Sequence, residues 1–249
     1  MSYSSDVTSS SYAISNGDYS SYPKTRAFND TTSTSDYWMS ATMTLANSWI
    51  GQDFGVGNLV SIREFVISQI CYYYAIESGT NWGSYAKTVS LQYSDDASTW
   101  TAAETFTLSY YSGTDRGAKL YSTTCVTSAD YGCHRYWRIK ALTGYSSSYY
   151  WMVSEIQMYT LTTGYATITV TNSSGAVISG ATVTLGSTSG TTGSAGTVTF
   201  SGLTTGAKTL SVSYVGYKTT TSSITVSAGK LITSTVAMSS DTVLDVQEV

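Results

Sequence analysis

Proline, histidine and charged residues are scarce in this chain. Its 249 residues include one proline (Pro23), one histidine (His134) and 11% charged residues, whereas an ordinary soluble protein has about 25% charged residues. Serine, threonine, glycine and tyrosine take their place. A polar but uncharged surface of this kind is typical of proteins that work outside a cytoplasm, and the 22 tyrosines and many threonines favour strands.

Basic patches and long apolar runs are also missing. The net charge is −4 and no cluster of lysine and arginine occurs, so nucleic acid is not expected as a partner. No run of about 18 apolar residues occurs, so no membrane insertion is expected. The first residues lack the basic start and apolar stretch of a secretory signal. We therefore expect an extracellular protein, either secreted with its signal removed or released by lysis as a virus particle protein is.

Groups that would support catalysis are few. His134 is the only imidazole, and the nucleophile motif GxSxG is absent. Asp95 and Asp96 lie in "SDDAST", where they are expected to cap a turn rather than to act as paired glycosidase acids. The chain has no CxxC pair, so a zinc site is not expected. The sequence therefore predicts a protein that is not an enzyme.

The three cysteines leave two interpretations open. Cys125 and Cys133 are candidates for a disulfide that closes the short loop between them, which would leave Cys71 for an intermolecular bond. Alternatively, all three are reduced thiols buried in the core, since free cysteine is often a core residue.

Composition changes near residue 160 and divides the chain. All six tryptophans and all three cysteines precede this point, whereas residues 161–238 contain three lysines and no acid. We predict an N-terminal arm (1–22), a first domain (23–160), a second domain (161–238) and a C-terminal tail (239–249). The two ends are polar and weakly patterned, so alone they are expected to be disordered.

Short alternating segments separated by turn residues predict strands throughout. "KTVSLQYS" (87–94) directs Val89 and Leu91 inward, and "YWRIKAL" (136–142) places Trp137 and Ile139 on one face. We predict an all-β fold of two tandem antiparallel β-sandwiches, a jelly roll followed by an immunoglobulin-like domain. Four tryptophans are expected in the first core: Trp38, Trp49, Trp100 and Trp137.

Six motifs occur in a characteristic order in the first domain. They are "AFNDTTST" (27–34), "WIGQDFG" (49–55), "SIREFVI" (61–67), "LQYSDDASTW" (91–100), "RYWRI" (135–139) and "SEIQMY" (154–159). In this order they resemble the discoidin, or coagulation-factor type C, domain, whose galactose-binding-like jelly roll is shared with many carbohydrate-binding modules.

The resemblance implies a structural Ca²⁺ held between the early loop and a glutamate near the end, with the oxygen ligands that this ion prefers. Asn29 stands at the family's aspartate position, Asp30 stands at its glycine position, and Thr34 and Glu155 match. These four residues are the implied calcium site. The alternative is that Asp30 and Thr34 cap the loop and Glu155 bonds to backbone.

The resemblance also implies a glycan site on loops at one end of the sandwich. Sugars stack their apolar face on aromatic rings while polar side chains bind the hydroxyls. The candidate residues are Trp82, Tyr85, Tyr110, Tyr111, Arg116, Tyr149 and Tyr150. The alternative is that the same aromatics form an assembly interface, because tyrosine is enriched at interfaces.

The second domain contains "SGAVISGATVTL" (174–185), "GTVTFSGL" (196–203) and "TGAKTLSVSYVGY" (205–217). This order resembles the carboxypeptidase-regulatory-like, or collagen-adhesin B-type, β-sandwich, whose members serve as spacers or assembly units. For the whole chain we expect a structural and adhesive protein on an extracellular particle, such as a phage decoration or tail-fibre protein. It would pack on neighbours or other copies and bind surface glycans. The alternatives are a secreted bacterial carbohydrate-binding or cell-surface adhesion protein and the accessory chain of a polysaccharide-degrading enzyme.

Overall fold

A computed structural model describes residues 3–41, 45–75, 81–82, 84–110, 117–144 and 150–241, with the backbone alone for 72–75 and 81–82. Strands dominate these residues, and the helical structure among them is limited to short 3-10 turns. The chain divides into two compact units, residues 1–161 and 162–249. Within the described ranges no helix has the length and hydrophobicity needed to cross a membrane.

The first unit is a jelly-roll sandwich of two antiparallel sheets. Its strands are β1 (Ala13–Ser15), β2 (Trp38–Met39), β3 (Trp49–Asp53), β4 (Glu64–Ala75), β5 (Asn81–Trp82), β6 (Ala86–Ser94), β7 (Thr101–Thr107), β8 (Gly117–Val126), β9 (Tyr136–Gly144) and β10 (Met152–Tyr159). One sheet has the order β1-β3-β9-β6-β7, and the other has the order β2-β10-β4-β5 with β8 also paired to β4. The core between them includes Trp38, Trp137 and Trp151, all fully buried.

The predicted alternation is confirmed on β6 and β9. Val89 and Leu91 are fully buried, as are Trp137 and Ile139. Two of the four tryptophans differ from the prediction, because Trp49 and Trp100 are only half-buried and pack against an arginine rather than in the core.

The N-terminal residues are part of the first unit rather than a separate arm. β1 pairs with β3, and the backbone N–H of Val7 donates to the carbonyl of Met158 at 2.9 Å. The Asp6 carboxylate accepts from the backbone N–H groups of Thr8 and Met158 at 3.0 and 2.9 Å. This corrects the predicted boundary at residue 22. The segment is ordered by backbone hydrogen bonds to strands that are distant in sequence. Such bonds do not depend on the composition of the segment, so its composition could not predict them.

The predicted disulfide between Cys125 and Cys133 is not formed, because Cys125 carries a free thiol. Cys125 lies on β8 opposite Phe65 and contributes to the core. Burial raises the pKa of both thiols to about 12, and Asp130 contributes to the rise at Cys133. Cys71 is fully buried as well, so its sulfur is not placed to link two copies.

The second unit is a sandwich of one three-stranded and one four-stranded sheet. Its strands are β11 (Thr163–Asn172), β12 (Thr182–Leu185), β13 (Thr188–Thr191), β14 (Thr197–Thr204), β15 (Gly206–Ser213), β16 (Thr220–Val226) and β17 (Leu231–Met238). The sheet orders are β14-β11-β17 and β13-β12-β15-β16, and β11 with β17 is the parallel pair. Ile168, Val183 and Leu210 lie in the core between the sheets. The predicted fold class, two tandem β-sandwiches, is confirmed.

Candidate functional site

Three of the seven predicted glycan-site residues have described side chains. Trp82 lies on β5, of which the backbone alone is described, and Tyr111, Arg116 and Tyr149 lie outside the described residues. The structure therefore describes the side-chain environment of Tyr85, Tyr110 and Tyr150.

Tyr85 and Tyr110 stack on each other. Their ring centroids are 5.3 Å apart with the planes inclined by 13°, and the Lys87 ammonium lies 5.1 Å from the Tyr110 centroid. Tyr85 is only 4% exposed, so little of its ring surface is open, and its place in a glycan site stays a prediction. Tyr85 is buried together with its neighbour Ala86 at the start of β6, so strand alternation does not account for its burial, and the Tyr110 ring covers one of its faces. Tyr110 is half-buried.

Tyr150 contacts a tyrosine that the sequence did not indicate. The Tyr19 and Tyr150 ring centroids are 4.7 Å apart, and Tyr19 is 41% exposed. Desolvation raises the pKa of the Tyr150 hydroxyl, and the neighbouring Tyr19 hydroxyl adds to the rise. The two phenols thus form a surface pair in which the Tyr150 hydroxyl is protonated at neutral pH.

A second tyrosine pair, Tyr22 and Tyr37, begins three residues after Tyr19. The rings of Tyr22 and Tyr37 stack with centroids 4.7 Å apart and planes 11° apart. The Arg26 guanidinium lies 5.6 Å from the Tyr22 centroid and pairs with Asp36 at 3.5 Å. The second pair therefore has an ion pair beside its aromatic rings.

Backbone hydrogen bonds hold the two pairs together. The N–H of Tyr22 donates to the carbonyl of Tyr19 at 3.0 Å. The N–H of Tyr19 donates to the carbonyl of Met39 in β2 at 2.9 Å, and the N–H of Met39 donates to the carbonyl of Tyr22 at 3.3 Å. We call Tyr19, Tyr22, Tyr37 and Tyr150 the tyrosine cluster. Sequence reasoning missed Tyr19 and Tyr22 because they lie in the segment that it assigned to an arm. The "NGDY" turn residues at 16–19 were the available indication of local order.

Of the other predicted calcium residues, Asn29 contacts the carboxylate of Glu155 directly. Glu155 lies on β10 and is 3% exposed, and its Oε2 accepts from the backbone N–H of Asn29 at 3.3 Å. Its Oε1 is buried and has no hydrogen-bond partner among the residues that the structure describes. Burial raises the pKa of Glu155 to about 8, against hydrogen bonds from Asn29 and Thr31 that lower it, while the charges of Asp30 and Asp6 add to the rise.

The loop beside Glu155 is held by its own polar groups. The Asn29 side-chain amide donates to Asp36 at 2.8 Å, and the Ser154 hydroxyl donates to the carbonyl of Ser33 at 2.8 Å. Asp30 has φ 60°, which is uncommon for a residue with a side chain. Thr34 is exposed. Carboxylate and carbonyl oxygens are the donors that Ca²⁺ prefers, so the orphaned Oε1 of Glu155 fits such an ion.

The calcium residues do not form a cluster of charged ligands. Among the described side chains, no group of three or more histidine, cysteine, aspartate or glutamate residues is arranged to hold a metal. Any cation beside Glu155 would therefore depend on neutral oxygen ligands from the loop.

The residues considered for catalysis have structural partners. The His134 ring stacks on Tyr93 with centroids 3.9 Å apart, and its Nδ1 lies 2.9 Å from an Asp95 carboxylate oxygen. Asp96 accepts from the backbone N–H groups of Thr99 and Ser98 at 2.7 and 2.8 Å, and these bonds hold the pKa of its carboxyl well below the ordinary value. The turn-capping interpretation of Asp96 agrees with this geometry.

The second unit matches a known family. The family model of the carboxypeptidase regulatory-like domain matches residues 167–239, which confirms the predicted resemblance. No curated protein matches the chain.

Solved structures show likenesses to the fold of the first unit. An F5/8 type C domain from Bacteroides fragilis has 16% identity, with 63% of this chain and 95% of that chain covered and a TM-score of 0.43. A family 62 carbohydrate-binding module from Clostridium thermocellum has 19% identity, 63% and 96% coverage and a TM-score of 0.39. A family 32 module from Clostridium perfringens in complex with GalNAc-β-1,3-galactose has 13% identity, 59% and 92% coverage and a TM-score of 0.37. At these identities and TM-scores the likenesses say nothing about the function of this chain.

Proposed function

We propose that this chain is a non-enzymatic adhesive protein whose first unit binds glycans at the tyrosine cluster. The observation that supports it is two contacting tyrosine pairs, drawn from three separate segments and linked by a backbone hydrogen bond between Tyr22 and Tyr19, with the Arg26–Asp36 ion pair beside the second pair. Aromatic rings offer apolar faces to the C–H side of a sugar, and neighbouring charged groups bond its hydroxyls. The partly exposed Tyr19 and Tyr150 are the pair open to a ligand.

A glycan array probed with a multimerised form of the protein tests this proposal. A single shallow site corresponds to a Kd on the order of 0.1–1 mM, so binding is measurable when many copies act together. Galactose and GalNAc glycans are the first probes, since the family 32 module named above was solved with such a sugar.

Variants of the exposed pair identify the surface. Tyr19→Ser combined with Tyr150→Ser is expected to abolish the array signal. Tyr12→Ser is the matched control, because Tyr12 is 46% exposed in the same N-terminal segment and takes no part in the cluster. An array without signal for any glycan contradicts the proposal, as does a double variant that binds like the wild type.

We also propose that the protein is displayed outside the cell on a particle, such as a phage virion, where it packs on neighbours. The low charge and the tyrosine-rich surface support this location. Mass spectrometry of purified particles tests it, with secretion as a free bacterial carbohydrate-binding protein as the competing outcome.

We further propose that Glu155 and the loop of Asn29, Asp30 and Thr34 hold a structural Ca²⁺. The orphaned, buried Oε1 of Glu155 supports the site, and the ion would supply the positive charge that this carboxylate otherwise lacks.

A further inference from the structure

The second unit exposes apolar side chains at the end where β15 finishes. Val215 is 92% exposed and Tyr214 is 39% exposed, and Val177 in the loop before β12 is 53% exposed. Val215 lies in a turn closed by a hydrogen bond from the N–H of Tyr217 to the carbonyl of Tyr214 at 3.1 Å. Apolar surface presented on a turn in this way often marks a contact site.

An open cleft adjoins this turn. Its volume is about 370 Å³, and it is lined by Gly180, Thr182, Ser213, Tyr214 and Val215. Thr182 and Ser213 are directly paired between β12 and β15, so the floor of the cleft is regular sheet. The lining has an aromatic wall and carries no charged side chain.

The chain itself is directed toward this cleft after β17. The N–H of Lys218 donates to the carbonyl of Ser239, Tyr217 bridges Ser240, and the N–H of Asp241 donates to the carbonyl of Gly216, with both hydrogen bonds 2.9 Å long. These contacts make residues 239–241 run antiparallel to 216–218. If residues 242 and 243 continued this register, Thr242 would lie opposite Val215 and Val243 opposite Tyr214.

The remaining residues complement the unit in charge. Between residues 161 and 240 the charged residues are three lysines, whereas Asp241, Asp245 and Glu248 follow with Val243, Leu244 and Val246 among them. Eight extended residues reach about 27 Å at most, which is enough to cross the cleft.

We propose that the turn 214–217 and the adjoining cleft are the docking surface for residues 242–249 of the same chain. Docking buries Val215 and the Tyr214 ring under the apolar residues of the segment and brings its carboxylates to a unit whose other charged side chains are three lysines and Asp241. The contact is intramolecular, so its occupancy does not depend on protein concentration.

Hydrogen exchange on the full chain tests the docking. Amides of residues 243–249 are expected to exchange at least about tenfold more slowly than in the free octapeptide TVLDVQEV, because docked amides are shielded from solvent. Val215→Ser is expected to remove this protection. Val56→Ser is the matched control, since Val56 is 83% exposed in the first unit.

A chain ending at Asp241 provides the reciprocal measurement. Amides of residues 213–217 are expected to exchange faster in it than in the full chain, and added octapeptide is expected to restore their protection while a scrambled octapeptide does not. Free-peptide exchange rates for 243–249 in the full chain would overturn the proposal, as would protection that survives Val215→Ser. Protection that disappears on dilution would overturn it too, because the occupant would then be the segment of a second copy.

Discussion

The proposed Ca²⁺ site would make the contribution of Glu155 to stability depend on calcium. With calcium bound, a ligand that binds only the folded state stabilises it by about 2.7 kcal/mol at 100 times its Kd. Glu155→Gln is therefore expected to lower the melting temperature in calcium and to abolish the difference between calcium and chelator. Glu104→Gln is the control, since Glu104 bonds to Ser128 and Tyr131 away from the loop. Identical wild-type melting curves with calcium and with chelator would rule out a stabilising ion.

Without calcium, the buried carboxylate of Glu155 is expected to destabilise the folded protein when it is ionised. The folded pKa of Glu155, about 8, is above the ordinary 4.5, so the unfolded chain loses the proton first as pH rises. Stability is expected to fall between pH 4.5 and 8 and to stay low above it, while Glu155→Gln lacks this contribution to the decline. Thermal unfolding at pH 5 and pH 8 measures both chains.

Arg138 covers the rings of two half-buried tryptophans, Trp49 and Trp100, that lie outside the core. Its guanidinium lies 3.9 Å from the Trp100 centroid and 4.9 Å from the Trp49 centroid, and its Nε donates to Gln92 at 2.8 Å. Burial lowers the pKa of Arg138 to about 10, which leaves it charged at neutral pH. Local alternation places Trp49 on the outward face of β3, since Ile50 faces inward. The sequence does not indicate that Arg138, which lies on the neighbouring strand β9 across from Gly51, covers the Trp49 ring.

Removing Arg138 tests this stack. Arg138→Gln is expected to destabilise the first unit by about 1–2 kcal/mol, since a cation–π contact contributes about 0.5–1 kcal/mol at an exposed site and more when desolvated. Arg138→Lys keeps the charge but loses the planar stacking, so its stability is expected to lie between those of the wild type and Arg138→Gln. Urea unfolding measures the loss, with Lys140→Gln on the same strand as control. An unchanged midpoint for Arg138→Gln would show that the stack adds nothing.

At the scale of elements, alternation predicted those strands whose two faces differ. The inward sets of β6 and β9 follow directly from apolar residues at every second position. Residues 59–63 alternate equally well, yet Ser61 and Arg63 are buried as well as Val60 and Ile62 before β4 begins at Glu64. There the chain bends between sheets, and tertiary packing rather than local period decides which side chains are covered.

The N-terminal segment shows why low hydrophobicity was misleading. Its contacts join residues about 150 positions apart, as between Asp6 and Met158, and they use backbone groups that any sequence possesses. It also touches both sheets, through β1 with β3 and through Val7 with β10. No local pattern in the sequence reports such a closing contact.

Deleting residues 1–15 is expected to destabilise the first unit markedly, because β1 and the Asp6 contacts are lost together. Asp6→Ala alone is expected to cost about 1.5–3 kcal/mol, the usual range for hydrogen bonds to a charged group. Ser5→Ala at an exposed neighbouring position is the control. Chemical denaturation measures the series, and a deletion chain that unfolds at the wild-type midpoint would contradict the assigned role.

At the scale of the whole molecule, two units of different composition are joined in one chain. The motifs of each unit predicted its fold because they recur in order, whereas the tyrosine cluster could not be predicted because its members come from segments far apart in sequence. The parallel pairing of β17 with β11 was likewise not visible, since strand periodicity does not encode direction.

Strand β17 lies at the edge of its sheet and is expected to mediate association between copies. Among the described strands β17 pairs with β11 alone, and its eight residues include neither proline nor charge, the features with which proteins usually protect a sheet edge. With a net charge of only −4, repulsion between copies is weak. We expect light scattering to show a mass above the 26.6 kDa of one chain that rises with concentration. Reductant is expected to have no effect, because Cys71 and Cys125 are buried and the partly buried Cys133 has a thiol pKa raised to about 12, which disfavours the reactive thiolate.

Charge placed on the β17 edge distinguishes this route from others. Thr235→Lys is expected to return the protein to a monomer, since a lysine on an exposed edge position opposes strand addition. Ala195→Lys adds the same charge in an exposed turn of the second unit and is expected to change nothing. Deleting residues 242–249 is also expected to leave the mass unchanged, because their proposed contact lies within one chain. A wild-type protein that remains at 26.6 kDa at millimolar concentration would exclude edge pairing as the basis of assembly.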